Sequence, residues 1–557
     1  MDASIRHLIP NNVLPSKYEA ESVSSLLAAD ISEVERLNTL ISSLLSERDM
    51  LNARIESYRS ILSPIRMLPL DILGEIFVRC LPEHNPVMCR KEAPLVLGRV
   101  CSLWRSLSLH LPVLWAGLHV VIPSTQYVQR LAFVIEGIET WLGRSGSLPL
   151  SLSVFGNGRY GSGWQESPSL AIIKALLGYK DRWYRVSLNV PSVGTTVLWD
   201  VPGTDLPMLQ SLCLKRGIVP LASAEQLERH QPQGVMGIIS GPILADARTL
   251  DWTGMTLFQA RNLTRVALPS QTFTEYGLLT FLPLSQLTDL DMRHCLSVSY
   301  GVLPLSTVLN VLRRCDKLQG CHIKIDHSTD PSSYSQVDLP FVHTLTIEET
   351  RGVPDFPADF DIFTVLRTPA LKHLSYHFVG PDKASQRVFE HRFDLESLSL
   401  VYPPLSAEAL REYLERNRNL ERLKISGGYY RSHPTPIPGD EPPTSCVDEG
   451  FLDFLHPPSL PKLHSVDFRQ SINIEPESVI GFLRARSRSE SERGEGWCAL
   501  RYASFPFAQP SDGNFGKEIE RLEKEEGMSV VFHQPRARKI RRDSAADGLR
   551  EFMEDLV

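Results

Sequence analysis

Gly156, Gly158 and Gly161 in "GNGRYG" have the G-x-G-x-x-G spacing that cradles a dinucleotide pyrophosphate, and they follow the strand-like run "LPLSLSVF". That chemistry needs a helix to begin within the glycines, so that its N-terminus faces the phosphates. Here the helical pattern starts only near Pro168, and the next strand-like run, "WYRVSLNV", lacks the acidic residue that would bind ribose. The glycines read as a loop. Cys315, Cys321 and His322 are close in sequence, but their spacing is unlike that of a zinc site, and Cys321 falls on an inward position of a strand pattern, which makes it a buried thiol. No G-x-S-x-G occurs, and 16 scattered histidines give a Ser, His and Asp triad no support. The expectation is a chain with no catalytic residues, no metal and no cofactor.

The elements that would position any site are clearer. The longest uncharged run, Cys295 to Leu312, is broken by Ser297, Ser299, Gly301, Pro304 and Ser306, and "MDASIRHLIPNNVLP" has no apolar core of signal-peptide length. A net charge of -7, with 42% hydrophobic and 22% charged residues, carries no global signature of nucleic-acid binding. Nine cysteines without a C-x-x-C pair read as reduced thiols. Together these lead to the expectation of a cytoplasmic or nuclear protein that meets neither nucleic acid nor membrane. The basic stretch Arg536, Arg538, Lys539, Arg541 and Arg542 reads equally as a nuclear-import signal or a solvated tail.

From Val34 to Leu62 apolar residues follow a heptad: Leu37, Leu44, Leu51 and Tyr58 at one position, Val34, Ile41, Ile55 and Leu62 at the other, with Arg48 breaking the seam. This predicts a helix over residues 31–62, behind a flexible segment 1–30. The helix serves either as a homodimerising coiled coil through 34–62 or as an amphipathic helix lying on its own downstream domain. A small helical domain is expected over 63–120. Pro69 opens a helix whose face carries Ile72, Leu73, Ile76, Phe77, Cys80 and Leu81, and a second helical pattern contains Leu97, Val100, Cys101, Trp104 and Leu107. A domain this small has little core, so part of its apolar surface is expected to meet a partner.

Further on, an L-x-x-L-x-L phrase recurs at Trp183, Leu209, Leu263, Leu287, Leu318, Val342, Leu371, Leu395, Leu420 and Leu463, often about 24 residues apart but not strictly. Each phrase is a short strand with alternate side chains turned inward, and helix-like stretches such as "LSTVLNVLRRC", "SAEALREYLERN" and "PESVIGFLRAR" lie between them. The fold class expected is α/β: an irregular leucine-rich-repeat solenoid of parallel strands over 121–530, with helices on the convex side. A Pro-rich loop (431–448), a charged linker (484–496) and a loose tail (531–557) complete the organisation.

Residues Leu68, Pro69, Asp71, Ile72, Leu73, Ile76 and Phe77, then Val100, Cys101 and Trp104, then Pro112, Leu114 and Trp115, form a pattern that resembles the F-box family, specifically the F-box-like proteins of mushroom-forming fungi. Those proteins run a heptad helix into an "SPIRxLPxEIL" phrase and end in a leucine-rich region. The resemblance implies a non-catalytic, substrate-recognition subunit of a cullin-type ubiquitin ligase. Leu68, Pro69, Ile72, Leu73, Ile76, Phe77, Val100 and Trp104 would meet a Skp-type adaptor, itself joined to cullin and the RING subunit. The repeat region would hold a protein substrate through outward strand residues: Asp289, Asp291, Arg293, His322, Lys324, Glu348, His377, Lys424, Asp467 and Arg469. The competing reading is a coiled-coil, leucine-rich scaffold or receptor-like binding protein with no ligase role.

Overall fold

The computed structural model describes residues 14–123, 130–156, 168–190, 195–215, 256–269, 273–295, 302–326, 334–350, 361–378, 389–401, 406–426, 447–469, 474–487, 496–506 and 513–532. It has two compact units, Met1–Ile76 and Phe77–Val557. The first contains a single long helix, α1 (Lys17–Ile61), in which no residue is buried. It starts well before residue 31, inside the segment expected to be flexible. The reason is local: Ser16 accepts a hydrogen bond from the Glu19 amide, and the Glu19 carboxylate accepts one back from the Ser16 amide at 2.8 Å, closing a capping box. The helix stops before Pro64, which cannot continue it.

Helix α2 (Leu70–Arg79) follows directly after Pro69 and ends ahead of Pro82. The second helical pattern is divided. Leu97–Arg99 is a short 3-10 turn, and α3 (Ser102–His110) begins only after Cys101, whose sulfur caps the Trp104 amide. Val100 and Cys101 therefore lie in the connection rather than on a helix face.

Fourteen strands then form one parallel sheet, in which every strand pairs with its neighbours in chain order. They are β1 (Gly117–Val121), β2 (Leu150–Phe155), β3 (Trp183–Asn189), β4 (Ser211–Leu214), β5 (Arg265–Ala267), β6 (Asp289–Asp291), β7 (Gly320–Asp326), β9 (Thr344–Thr350), β11 (His373–His377), β12 (Ser397–Val401), β13 (Arg422–Ser426), β14 (Ser465–Phe468), β15 (Tyr502–Phe505) and β16 (Ser529–Phe532). A separate two-stranded ladder joins β8 (Val337–Asp338) to β10 (Leu366–Arg367). The sheet begins at Gly117, so the boundary expected at 120/121 cuts through β1.

One register row crosses all fourteen strands: Leu118, Leu152, Val186, Leu212, Val266, Leu290, Cys321, Leu345, Leu374, Leu398, Leu423, Val466, Ala503 and Val530. All are buried, as is the residue three before each in the ten phrases read from the sequence, Leu263, Leu395 and Leu463 among them. The period-2 alternation thus places the core on one face of every strand. Burying each large aliphatic side chain contributes roughly 1.5–3 kcal/mol, so stacking neighbours stabilises strands too short to stand alone.

Helices occupy the crossovers that parallel pairing requires: α4 (Leu131–Arg144), α5 (Pro168–Leu177), α6 (Glu275–Phe281), α7 (Leu305–Leu312), α8 (Ala407–Glu415), α9 (Glu449–Phe454), α10 (Pro476–Ala485) and α11 (Gly513–Glu525). Neighbours in the series touch, α4 with α5, α6 with α7, and α8 through α11 in succession. Helices were expected at α7, α8 and α10. Residues 484–487 belong to this framework and not to a linker, since Arg486 and Ser487 are buried at the end of α10. Among the described residues no helix is long and apolar enough to cross a membrane.

Candidate protein-binding surfaces

The face of the sheet opposite the apolar row changes character along its length. From His119 the opposite-face row runs through Ser153, Ser187, Cys213 and Ala267, then from β6 onward through Asp291, His322, Thr346, Ser375, Ser399, Lys424 and Asp467, of which His119, Ser153, Asp291 and Thr346 are buried and the rest half-buried. A second row, one step toward the strand C-termini, aligns Lys324, Glu348 and His377. Seven of the ten substrate-binding candidates, Asp289, Asp291, Arg293, His322, Lys324, Glu348 and His377, thereby lie on β6, β7, β9 and β11 or at the end of β6. Lys424, Asp467 and Arg469 form a separate group beyond β12, with Lys424 in register with Asp467.

Hydrogen bonds organise the first group around Arg293. Its Nη2 lies 2.7 Å from Asp291 Oδ2, while its Nε and its backbone amide reach Asp291 Oδ1 at 3.1 and 3.0 Å. On its other side Nη1 stands 3.7 Å from Glu348 Oε1, and His377 Nδ1 is 3.9 Å from the same oxygen. Burial works to raise the Asp291 carboxyl, but the Arg293 hydrogen bonds and charge outweigh it and leave it below its ordinary value. For His377, burial is the largest influence and lowers the imidazole; Glu348 pulls it up, and Arg293 and Lys424 push it down. Asp289 pairs with Arg265 at 3.1 Å, and it sits where a Cβ on Gly320 would come within 2.5 Å of its Oδ1, which the glycine on the adjacent strand avoids.

These positions are therefore not equivalent. Asp291 is buried, so this expected contact residue instead holds Arg293 in place. Asp467 is likewise tied to Arg469, at 2.9 Å. Lys324, His322, Glu348, His377 and Lys424 remain half-exposed, and Arg469 is exposed. The surface they make has mixed charge and internally paired carboxylates. Such a face suits hydrogen bonding to an extended or loop segment of another protein, with specificity carried by charge placement.

Of the adaptor-contact candidates, Leu73 and Phe77 are 1% and 0% exposed. They are core residues, a correction to the expected contact set. Phe77 packs on Trp104, ring centroids 4.8 Å apart at 58°, and Trp104 is itself half-buried. Leu68 and Ile76 are half-buried, and Pro69 is exposed. Ile72 is 48% and Val100 59% exposed. Met67, Leu70, Val96 and Leu103 were not singled out in the sequence, yet all present large apolar surface to solvent. Periodicity alone would not have found Leu70, which shares the helical phase of buried Leu73 and Phe77 yet lies exposed in the first turn of its helix.

Among the described residues no group of three or more His, Cys, Asp and Glu could hold a metal. Cys321 is fully buried on β7, and burial pushes Cys315 up to about 12 and Cys321 higher still, so both thiols are inert at neutral pH. Gly158, Gly161, the loop at 431–446 and the basic stretch 536–542 lie outside the described residues. No protein-family model matches the chain, and a search of curated proteins finds no match.

Proposed function

We propose that the protein is a substrate-recognition subunit of a cullin-type ubiquitin ligase. In this reading residues 63–115 form an F-box that docks on a Skp-type adaptor, and the parallel sheet with its crossover helices forms an irregular leucine-rich-repeat solenoid that holds the target. The chain itself performs no bond chemistry. It contributes proximity, converting the encounter between a target lysine and activated ubiquitin into an effectively intramolecular one.

The observation that carries the reading is the exposure of apolar side chains within the segment that bears the F-box-like pattern. Met67 at 81%, Leu70 at 53%, Ile72 at 48%, Val100 at 59% and Leu103 at 49% all face solvent, whereas Leu73 and Phe77 beside them are sealed. Large apolar side chains left in water among the residues that carry the pattern support partner binding. The ordered, polar strand face supports the second half of the reading, since it offers a substrate fixed hydrogen-bonding groups on a rigid support.

The test is capture of the full chain by a purified Skp-type adaptor. Ile72→Asp with Val100→Asp should abolish capture while the far-ultraviolet circular dichroism and unfolding midpoint stay unchanged. Undiminished capture by that variant would remove the docking assignment. Failure of the wild-type chain to bind would favour the competing reading, a leucine-rich scaffold without a ligase role.

A further inference from the structure

Helix α1 runs 45 residues, about 68 Å at 1.5 Å per residue, with no buried residue along its length. Its start at Lys17 adds about three turns of seam to the heptads read from the sequence, because Leu27 and Val23 continue the a and d positions, respectively, upstream of Val34. These side chains are exposed, Leu27 at 57% and Val34 at 55%. Two charged residues interrupt the extended seam: Asp30 at a d position and Arg48 at an a position.

We propose that α1 pairs with the α1 of a second copy of this chain, antiparallel and in full overlap. The choice follows from the two charges. A parallel, in-register pair places Arg48 against Arg48 and Asp30 against Asp30, two layers of like charge inside the seam. An antiparallel pair sets a against d, and the register that brings Arg48 opposite Asp30 of the second copy also sets Lys17 opposite Ile61, with the two-fold axis level with Thr39, the midpoint of the helix, and passing between the two Leu37–Ile41 layers. Charge complementarity and maximal overlap, which are independent requirements, thus select one register. The layers between the two contacts are then wholly apolar, Val34 meeting Leu44 and Leu37 meeting Ile41, and Leu27 meets Leu51 just outside them. The Arg48 to Asp30 contact occurs twice by symmetry, as an isologous interface demands. Among the described residues Arg48 pairs with its exposed neighbour Asp49, at 2.6 Å, a link of little energetic weight that the new contact can replace. At the flanks this register brings Glu33 near Glu47 of the second copy, a solvent-exposed repulsion worth only a few tenths of a kcal/mol.

This inference does not depend on the ligase reading. Sedimentation equilibrium of the full chain across a dilution series should give twice 62.6 kDa at the concentrated end. Asp30→Arg alone, or Arg48→Asp alone, turns both complementary layers into like-charge layers and should raise the dimer dissociation constant about tenfold or more. Combining Asp30→Arg with Arg48→Asp should restore it. In a parallel pair neither single swap changes the number of like-charge layers, so indifference to all three variants overturns the antiparallel assignment. A wild-type chain that stays monomeric, or assembles beyond a dimer, overturns the pairing itself.

Discussion

Arg293 encloses the carboxylate of Asp291 with three donors, its backbone amide at 3.0 Å, Nε at 3.1 Å and Nη2 at 2.7 Å, on the fringe of a sheet where Asp291 is 9% exposed. The carboxylate is thus withdrawn from water and held mainly by one partner side chain. Arg293→Met should destabilise the protein by about 3–5 kcal/mol at neutral pH, because it leaves a buried charge uncompensated. The pH dependence has a definite sign. In the wild type the folded carboxyl sits below its ordinary value, so its stabilisation is present above the unfolded pKa and is lost as pH falls through the folded one. In the variant burial, the largest influence, is opposed only by the backbone amide of residue 293 and the His322 charge, so the carboxyl rises and the variant regains ground as pH falls. Urea midpoints of the two proteins should therefore converge between pH 7 and pH 4; a gap of constant size would refute the account.

Arg486 is fully buried and donates to backbone rather than to an acid: Nε to the Leu455 carbonyl at 2.8 Å, Nη1 to the Leu460 carbonyl at 3.2 Å, and Nη2 to the Ser459 carbonyl. Burial brings its guanidinium down to about 10. The segment it ties includes Leu460, a non-glycine residue with φ of 46°, so the fork holds a loop that would otherwise relax. Each carbonyl left unpaired in the interior costs about 1–3 kcal/mol. Arg486→Met is expected to lower the thermal midpoint markedly. Arg486→Lys should rescue little of it, since one ammonium cannot reproduce the planar spread of donors. A lysine variant as stable as the wild type would show that charge, and not geometry, matters there.

Phe77 and Ile72 lie on one helix and should separate folding from partner binding. Phe77 is sealed against Trp104, whereas Ile72 faces solvent. Phe77→Ala is expected to cost about 3–5 kcal/mol through the cavity it leaves. Ile72→Asp should change stability by no more than about 0.5 kcal/mol. Chemical denaturation of both variants measures this directly, and a large loss on Ile72→Asp would mean that its side chain is not free for a partner.

Much of the sheet was legible because the physics is local. The ten phrases place apolar residues at the one spacing that turns them inward on a strand, and each one became a strand. Strands β1 and β15 carry the same spacing in weaker dress: Trp115, Leu118 and Val120, then Leu500, Ala503 and Phe505, where tryptophan and alanine stand in for leucine, whereas β16 has Gly527 at the first position. The buried Arg486 was hidden for the opposite reason. Its neighbours Arg484, Arg488 and the serines give a composition typical of a solvated linker, and composition says nothing about carbonyls that need donors. The burial of Asp291 is illegible for a related reason, since alternation fixes which face a residue takes but not how far Arg293 folds back over it. The start of α1 rests on the reciprocal bonds of Ser16 and Glu19, a short signal outside the heptad pattern.

Tyr376 and Glu349 supply a last test of how the sheet tolerates a buried charge. Both are buried, Glu349 at 6% exposure, and the Tyr376 hydroxyl donates to Glu349 Oε1 on the adjacent strand. Burial, then the Glu349 charge, pushes the phenol well above its ordinary value, so it remains a donor at neutral pH. Removing the hydroxyl takes one donor from a buried carboxylate without opening a cavity. Tyr376→Phe should accordingly cost about 1.5–3 kcal/mol, the range of a hydrogen bond to a charged group. Pairing Tyr376→Phe with Glu349→Gln should cost less than the two changes summed, because the neutral amide no longer needs that donor as strongly. Strict additivity in the double-mutant cycle would show that the two side chains do not depend on each other.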